Sequence, residues 1–211
     1  MVLIDQKLMR NTLNYWRNER TIYKWIESQK NKHEREERPV SEFIPYCDVL
    51  LDVGCGSGRY VELVENKCNK YIGLDQSPIL IDYCKSKYPK HEFIVGNATS
   101  IPLKDKSVSL CLCIGVLRHN TLDSVISIVE EMIRVSNMVI VEYLESDEPI
   151  ISKIKEKGVL DWSFKRGMIE FLFSDNGFNK QDYILIDPYI DEFKECDRVV
   201  ALFSSSNQPT K

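Results

Sequence analysis

VLLDVGCGSGRY, residues 49–60, decides how the rest of the chain is read. Val49, Leu50, Leu51 and Val53 form a short apolar run of the kind that makes a buried strand. Gly54, Gly56 and Gly58 then punctuate a turn that opens a helix. Glycines in such a turn let backbone approach a ligand closely, beside the exposed N–H groups of a helix start. A dinucleotide fingerprint spaces its glycines GxGxxG; here the spacing is GxGxG, and Arg59 stands where the third glycine would fall. This departure weighs against a nicotinamide oxidoreductase.

Outward from this loop, short apolar runs alternate with amphipathic stretches, the pattern of a parallel sheet covered by helices. The pattern predicts strands at 48–53, 70–74, 92–95, 108–114, 137–143, 181–187 and 197–204, with helices at 58–67, 78–87, 121–134 and 163–175. Ser77-Pro78 supplies an N-cap with proline in the first turn, and Asp175-Asn176-Gly177 supplies a glycine stop. No helix fits between the last two strands, which predicts an antiparallel pair.

Upstream, Met9, Leu13, Trp16, Tyr23 and Ile26 fit one helical stripe over residues 5 to about 30. From Gln6 to Arg38 there are nine Lys or Arg against five Glu, so the arm is locally basic. QKNKHEREERP reads as a solvated linker stopped by Pro39. The expected organisation is a helical arm and linker over 1–40, a domain over 41–204 and a flexible tail over 205–211.

Asp52 before the loop, the loop glycines, YIGLD ending at Asp75, and VGNATSIPLKDKSVSLCLCIGVLRH together resemble the class I, Rossmann-like S-adenosylmethionine-dependent methyltransferases of the type 11 group. The resemblance covers residues 45 to 143 well and the remainder only in layout. It implies an α/β, doubly wound, mostly parallel seven-stranded sheet with an antiparallel last strand, plus the N-terminal helical arm. It also implies S-adenosyl-L-methionine as cofactor. Gly54, Cys55, Gly56 and Gly58 would wrap its methionine part, with Asp52 near the ammonium group. Asp75 would take both ribose hydroxyls, since an ionised carboxylate offers two acceptor oxygens and no donor. Gln76 and Gly115 join this set. Asn97-Ala98 stands where the family usually has Asp-Ala, and Asn97 reads equally as an adenine contact or a turn residue. In related enzymes the amino-terminal helix often folds over the cofactor, which would bring Trp16 and Arg20 to the sulfonium or the methionine carboxylate.

A sulfonium already activates its methyl group, so alignment of a nucleophile, with deprotonation where needed, is the enzyme's task. The strand ends that face such a site select Gly115 to Asn120 and Tyr143 to Glu145. His119 and Tyr143 are the candidate catalytic residues; His119 titrates near neutrality, and its alternative is a solvent-facing helix-entry residue. Arg118 either binds an anionic acceptor or pairs with the acidic surface.

The 211 residues carry a net charge of -4, which disfavours a surface that tracks nucleic acid throughout. Seven cysteines without CxxC pairs read as reduced, mostly buried thiols, with no metal site. MVLIDQKLMR lacks a signal-peptide layout, and no apolar run reaches the roughly 18 residues of a membrane helix, so a cytoplasmic location and no membrane partner are expected. The leading expectation is a methyltransferase acting on a small molecule. The basic arm and IGVLRHNT, loosely similar to a segment of wobble-uridine tRNA methyltransferases, support a tRNA substrate as the alternative. A non-catalytic cofactor-binding partner protein is the second alternative. Oligomeric state is open.

Overall fold

The computed structural model describes residues 11, 12, 14–16, 18, 21–24, 26, 33–154, 159–186 and 196–205. Helix α1 (His33–Phe43) leads into β1 (Cys47–Val53), the short α2 (Val61–Val64), β2 (Cys68–Asp75), α3 (Pro78–Lys87), β3 (Glu92–Val95) and β4 (Val108–Cys113). A 3-10 turn (Leu117–His119), α4 (Leu122–Val135) and β5 (Ser136–Ser146) follow. The chain then forms β6 (Ile151–Ile154), β7 (Val159–Trp162), β8 (Phe164–Lys165), α5 (Met168–Asp175), β9 (Phe178–Ile186) and β10 (Asp197–Ser205).

The main sheet runs β3-β2-β1-β4-β5-β10-β9, and β8 adds an eighth strand beside the end of β5. Strands β1 to β5 are parallel, and β10 is antiparallel to both β5 and β9. This is the expected α/β architecture, with β8 in addition. Strand order reverses between β1 and β4, which opens a crevice at their carboxyl ends.

Strand alternation divides the core between two faces. Leu51, Val53, Ile72, Leu74, Cys111 and Cys113 pack under α4 and α5, whereas Leu50, Tyr71, Leu110 and Leu112 pack against Val40, Val61, Val64 and Ile81. All seven cysteines are buried and none is in a disulfide. The Ser77 side chain caps α3 by accepting from Leu80 N, and Thr121 caps α4 by accepting from Ser124 N. Among the described residues, no helix is long and apolar enough to cross a membrane.

Four expectations are corrected. The 29–39 linker gives way from His33 onward to α1, with Pro39 inside it. Proline there costs a backbone hydrogen bond, but burial of Val40 and, just beyond, Ile44 against the sheet holds the helix in place. The amino-terminal stripe is not one helix. Asn18 is non-helical, and its side chain accepts from Thr21 N, so it caps the second stretch. Ile22 and Ile26 then pack on Leu80, while Tyr23 is exposed. The expected helix 58–67 shrinks to α2, because residues on either side of it close i→i−3 turns, Val61 N to Gly58 O before it and Lys67 N to Val64 O after it, the latter leading directly into β2. The expected helix 163–175 begins only at Met168, after Gly167 at φ +77°. Upstream of it, β6 and β7 form an antiparallel hairpin that the sequence reading passed over.

Candidate active site

Gly54 and Gly56 adopt φ of +74° and +57°, a region open to glycine at little cost. The amides of Gly54 and Cys55 both donate to the Leu74 carbonyl, at 2.7 and 3.0 Å, which ties the loop to the end of β2. A Cβ on Gly54 would lie 2.4 Å from Val116 Cγ2, so space as well as conformation demands glycine. At the end of β2, Asp75 Oδ2 accepts from Gly56 N at 3.0 Å and Oδ1 from Ser77 N at 2.8 Å. Burial raises its pKa above the usual carboxylate value, and these backbone donors oppose that rise.

Loop, strand ends and amino-terminal segment enclose one cleft. Gly54, Cys55 and Gly56 line it after β1, Asp75 and Gln76 after β2, Asn97 and Ala98 after β3, and Gly115 after β4. Trp16 and His119 also line it. Asn97 has a turn role besides its place in the wall, because its Oδ1 accepts from Thr99 N at 3.0 Å. Arg20 lies outside the described residues.

Asp52, Gly58 and Tyr143 are not on the cleft wall. Asp52 is buried and accepts a 2.6 Å hydrogen bond from the Tyr71 hydroxyl. Burial pushes its pKa up to about 6, Tyr71 and Arg59 pull it down, and Asp75 adds to the rise. Gly58, at φ +74°, is a packing glycine whose added Cβ would meet Tyr88 Cε2 at 2.7 Å. Tyr143 shares the core face of β5 with Val139 and Val141 and is 1% exposed. It does not end its strand, which continues to Ser146. Its neighbour Glu142 is held by Arg198 Nε at 2.9 Å on a fully internal pair.

His119 is fixed by the hairpin. Its Nδ1 lies 2.7 Å from the Leu160 carbonyl. A carbonyl only accepts, so Nδ1 carries the proton and, in the neutral ring, Nε2 keeps its lone pair. Burial lowers the His119 pKa below 6.5. Arg118 does not face an acceptor or the surface; it forms a buried, two-pronged pair with Asp161 of β7. Trp162 Nε1 donates to the Asn120 carbonyl at 2.9 Å, and Leu160 N donates to Thr12 Oγ1 at 2.8 Å. The hairpin therefore ties the amino-terminal segment to the cleft mouth.

Thr12, Arg59 and the β7 residues were not selected from sequence. Arg59 had a signal, since it displaced the third glycine, but it was read only as a missing glycine. The β7 residues had none, because their role depends on a distant hairpin folding back.

Residues 51–137 match the family model described as "Methyltransferase domain". Those residues therefore carry a methyltransferase domain. The chain is 35% identical over 95 residues to the Arabidopsis thaliana tRNA (carboxymethyluridine(34)-5-O)-methyltransferase, covering 44% of this chain and 22% of that protein. It is 33% identical over 92 residues to the protein of the same activity from Xenopus tropicalis, covering 43% and 14%. The match thus spans under a quarter of these relatives. Among solved structures, geranyl diphosphate C-methyltransferase from Streptomyces coelicolor A3(2) superposes with a TM-score of 0.70 at 12% identity, covering 93% of this chain and 97% of that one.

The residues present fit the methyl donor of this family. Asp75 accepts from the backbone N–H groups of Gly56, Ser77 and Gln76, and its two oxygens, with about four lone-pair sites between them, keep acceptor capacity toward a ribose diol. Gly54, Gly56 and Gly115, all at positive φ, leave the cleft floor without side chains where a ligand would lie.

Proposed function

We propose that this chain binds S-adenosylmethionine across the strand ends and methylates a small-molecule nucleophile whose proton is taken by His119. The observation that carries the reading is the His119–Leu160 contact, which leaves an unprotonated Nε2 on a residue lining the cleft. The bound cofactor supplies an electrophilic methyl group. Asp75 holds the ribose, the Gly54–Gly56 backbone lies along the methionine part, and Trp16 and Thr12 cover the cleft mouth. His119 orients the acceptor and removes its proton. Trp16, His119 and Asn120 all lie on the cleft wall, an aromatic and polar set suited to a small acceptor.

A tRNA acceptor is the second reading, favoured by the names of the sequence relatives. The Streptomyces enzyme, solved in complex with geranyl diphosphate and S-adenosyl-L-homocysteine, supports the first. Incubation with methyl-labelled cofactor and size-fractionated extract separates the two. Label in the small-molecule fraction, dependent on His119, is expected. Label made soluble by ribonuclease would replace the first reading with the second.

A further inference from the structure

Sheet order lays out the cleft as a sequence of chemically distinct positions. Moving along β3, β2, β1 and β4, the wall presents Asn97, then Asp75, then the Gly54–Gly56 loop, then Gly115. A ligand whose ribose sits at Asp75 and whose base lies toward Asn97 must send its amino-acid end toward β1 and β4. That end is where Arg59 stands. Its side chain lines the cleft, and Nη2 lies 3.4 Å from the Ile114 carbonyl. A Cβ added to Gly115 would be 3.4 Å from the same nitrogen, so the guanidinium spans from the loop to the end of β4.

The charge balance of the wall adds a second argument. Among the described residues that line the cleft, Asp75 and Arg59 are the carboxylate and the guanidinium, and His119 is held toward its neutral form. A zwitterionic amino-acid end brings a carboxylate into a partly buried cleft, where it needs donors of opposite charge. Arg59 supplies a planar fork matched to a carboxylate. Asp52, whose ionised form Arg59 already favours, is buried off the cleft wall and close enough to Arg59 for their charges to interact.

We infer that Arg59 is the receptor for the carboxylate of the cofactor's methionine portion, the position first offered to Arg20. This rests on the cofactor reading proposed above. The competing role for Arg59 is purely structural, as counter-charge for buried Asp52 and Glu142, both of which it stabilises in ionised form.

The test is a binding cycle on the full chain, read by calorimetry with no methyl acceptor present. Wild type, R59Q, R59K and R20Q are titrated with S-adenosylhomocysteine and with its decarboxylated analogue, which keeps the amine, thioether and adenosine. Wild type is expected to prefer the carboxylate-bearing ligand by about 10- to 100-fold, the range of a charged hydrogen bond. R59Q is expected to bind both ligands alike, with little change for the decarboxylated one. R59K is expected to retain part of the preference and R20Q to retain it fully. Equal weakening of both ligands by R59Q would assign Arg59 the structural role and overturn the inference. So would a preference that survives in R59Q and disappears in R20Q. Failure of wild type to bind either ligand would instead overturn the cofactor reading, and the assignment of Arg59 with it. Should R59Q fail to fold, the R59K comparison decides.

Discussion

Leu160 and His119 meet across the mouth of the cleft, the Leu160 carbonyl 2.7 Å from His119 Nδ1, while the Leu160 amide donates to Thr12 Oγ1 at 2.8 Å. One backbone residue thus sets the tautomer of the candidate base and anchors the amino-terminal segment. Burial lowers the His119 pKa; Asp161 pulls it back up, and Arg118 pushes it further down. The ring is therefore neutral at pH 7, and its lone pair is lost only below 6.5. Activity is expected to be flat through neutrality, with an acid limb whose inflection lies below 6.5. H119Q is expected to lower kcat by about 10²- to 10⁴-fold and to abolish that limb. S-adenosylhomocysteine affinity should stay within a small factor of wild type. An unchanged pH profile in H119Q would remove His119 from the chemistry.

Arg118 and Asp161 form a fully internal pair that fastens β7 to the turn carrying His119. Removing one partner leaves an uncompensated buried charge, at a cost of about 3–5 kcal/mol. R118M and D161L are each expected to lower Tm sharply, and the double variant to recover most of the loss. D161N carries a separate signature. Asp161 raises the His119 pKa, so its neutralisation should move the acid limb to lower pH. Thermal unfolding and the pH profile together check both effects. Additive losses in the double variant would show that the two side chains do not act as a pair.

What was legible in the sequence was local. Positive φ at Gly54, Gly56 and Gly58, the cap at Ser77 and the acidic end of β2 each depend on a few neighbouring residues, and each lies where the pattern placed it. Tyr143 was misplaced although alternation could have assigned it, since 139, 141 and 143 share one strand face and the first two are plainly core residues. Asp52 sits on the opposite face from Leu51 and Val53, beneath the loop and not on the cleft wall. The β6–β7 hairpin was not legible, because its part in the site comes from contacts such as Leu160 to Thr12, 148 residues apart. The amino-terminal arm was half legible. Helical stretches on either side of Asn18 follow the apolar period and Trp16 lies on the cleft wall, whereas the period overrode the cap at Asn18 that interrupts the arm.

Gly58 separates packing from ligand contact within one loop. It lies off the cleft wall, yet its φ of +74° and the 2.7 Å approach of Tyr88 Cε2 to an added Cβ both resist substitution. G58A is expected to cost about 1–3 kcal/mol for the backbone strain and a comparable amount for overpacking. Y88A in the same chain should relieve only the second part. Scanning calorimetry of the single and double variants measures the split. Full rescue by Y88A would mean that the left-handed backbone carries no strain.

Asp52 predicts opposite pH slopes for stability and for cofactor binding. Its pKa is about 6 in the fold and near 3.8 in the unfolded chain, so between those values the folded state holds a proton that the unfolded state has released. The stability that this proton contributes is fully present below pH 3.8 and is lost as pH rises through 6. A cationic amino group bound nearby reverses the preference, because it favours the ionised carboxylate. Cofactor affinity is therefore expected to rise between pH 5 and 7. D52N should remove both trends, leaving affinity near the wild-type value at low pH. Asp75 also titrates above the usual carboxylate range, so the informative quantity is the difference between wild type and D52N at each pH, measured by calorimetry. Parallel affinity profiles for the two proteins would show that Asp52 does not sense the ligand's charge, and would confine it to the hydrogen bond it accepts from Tyr71.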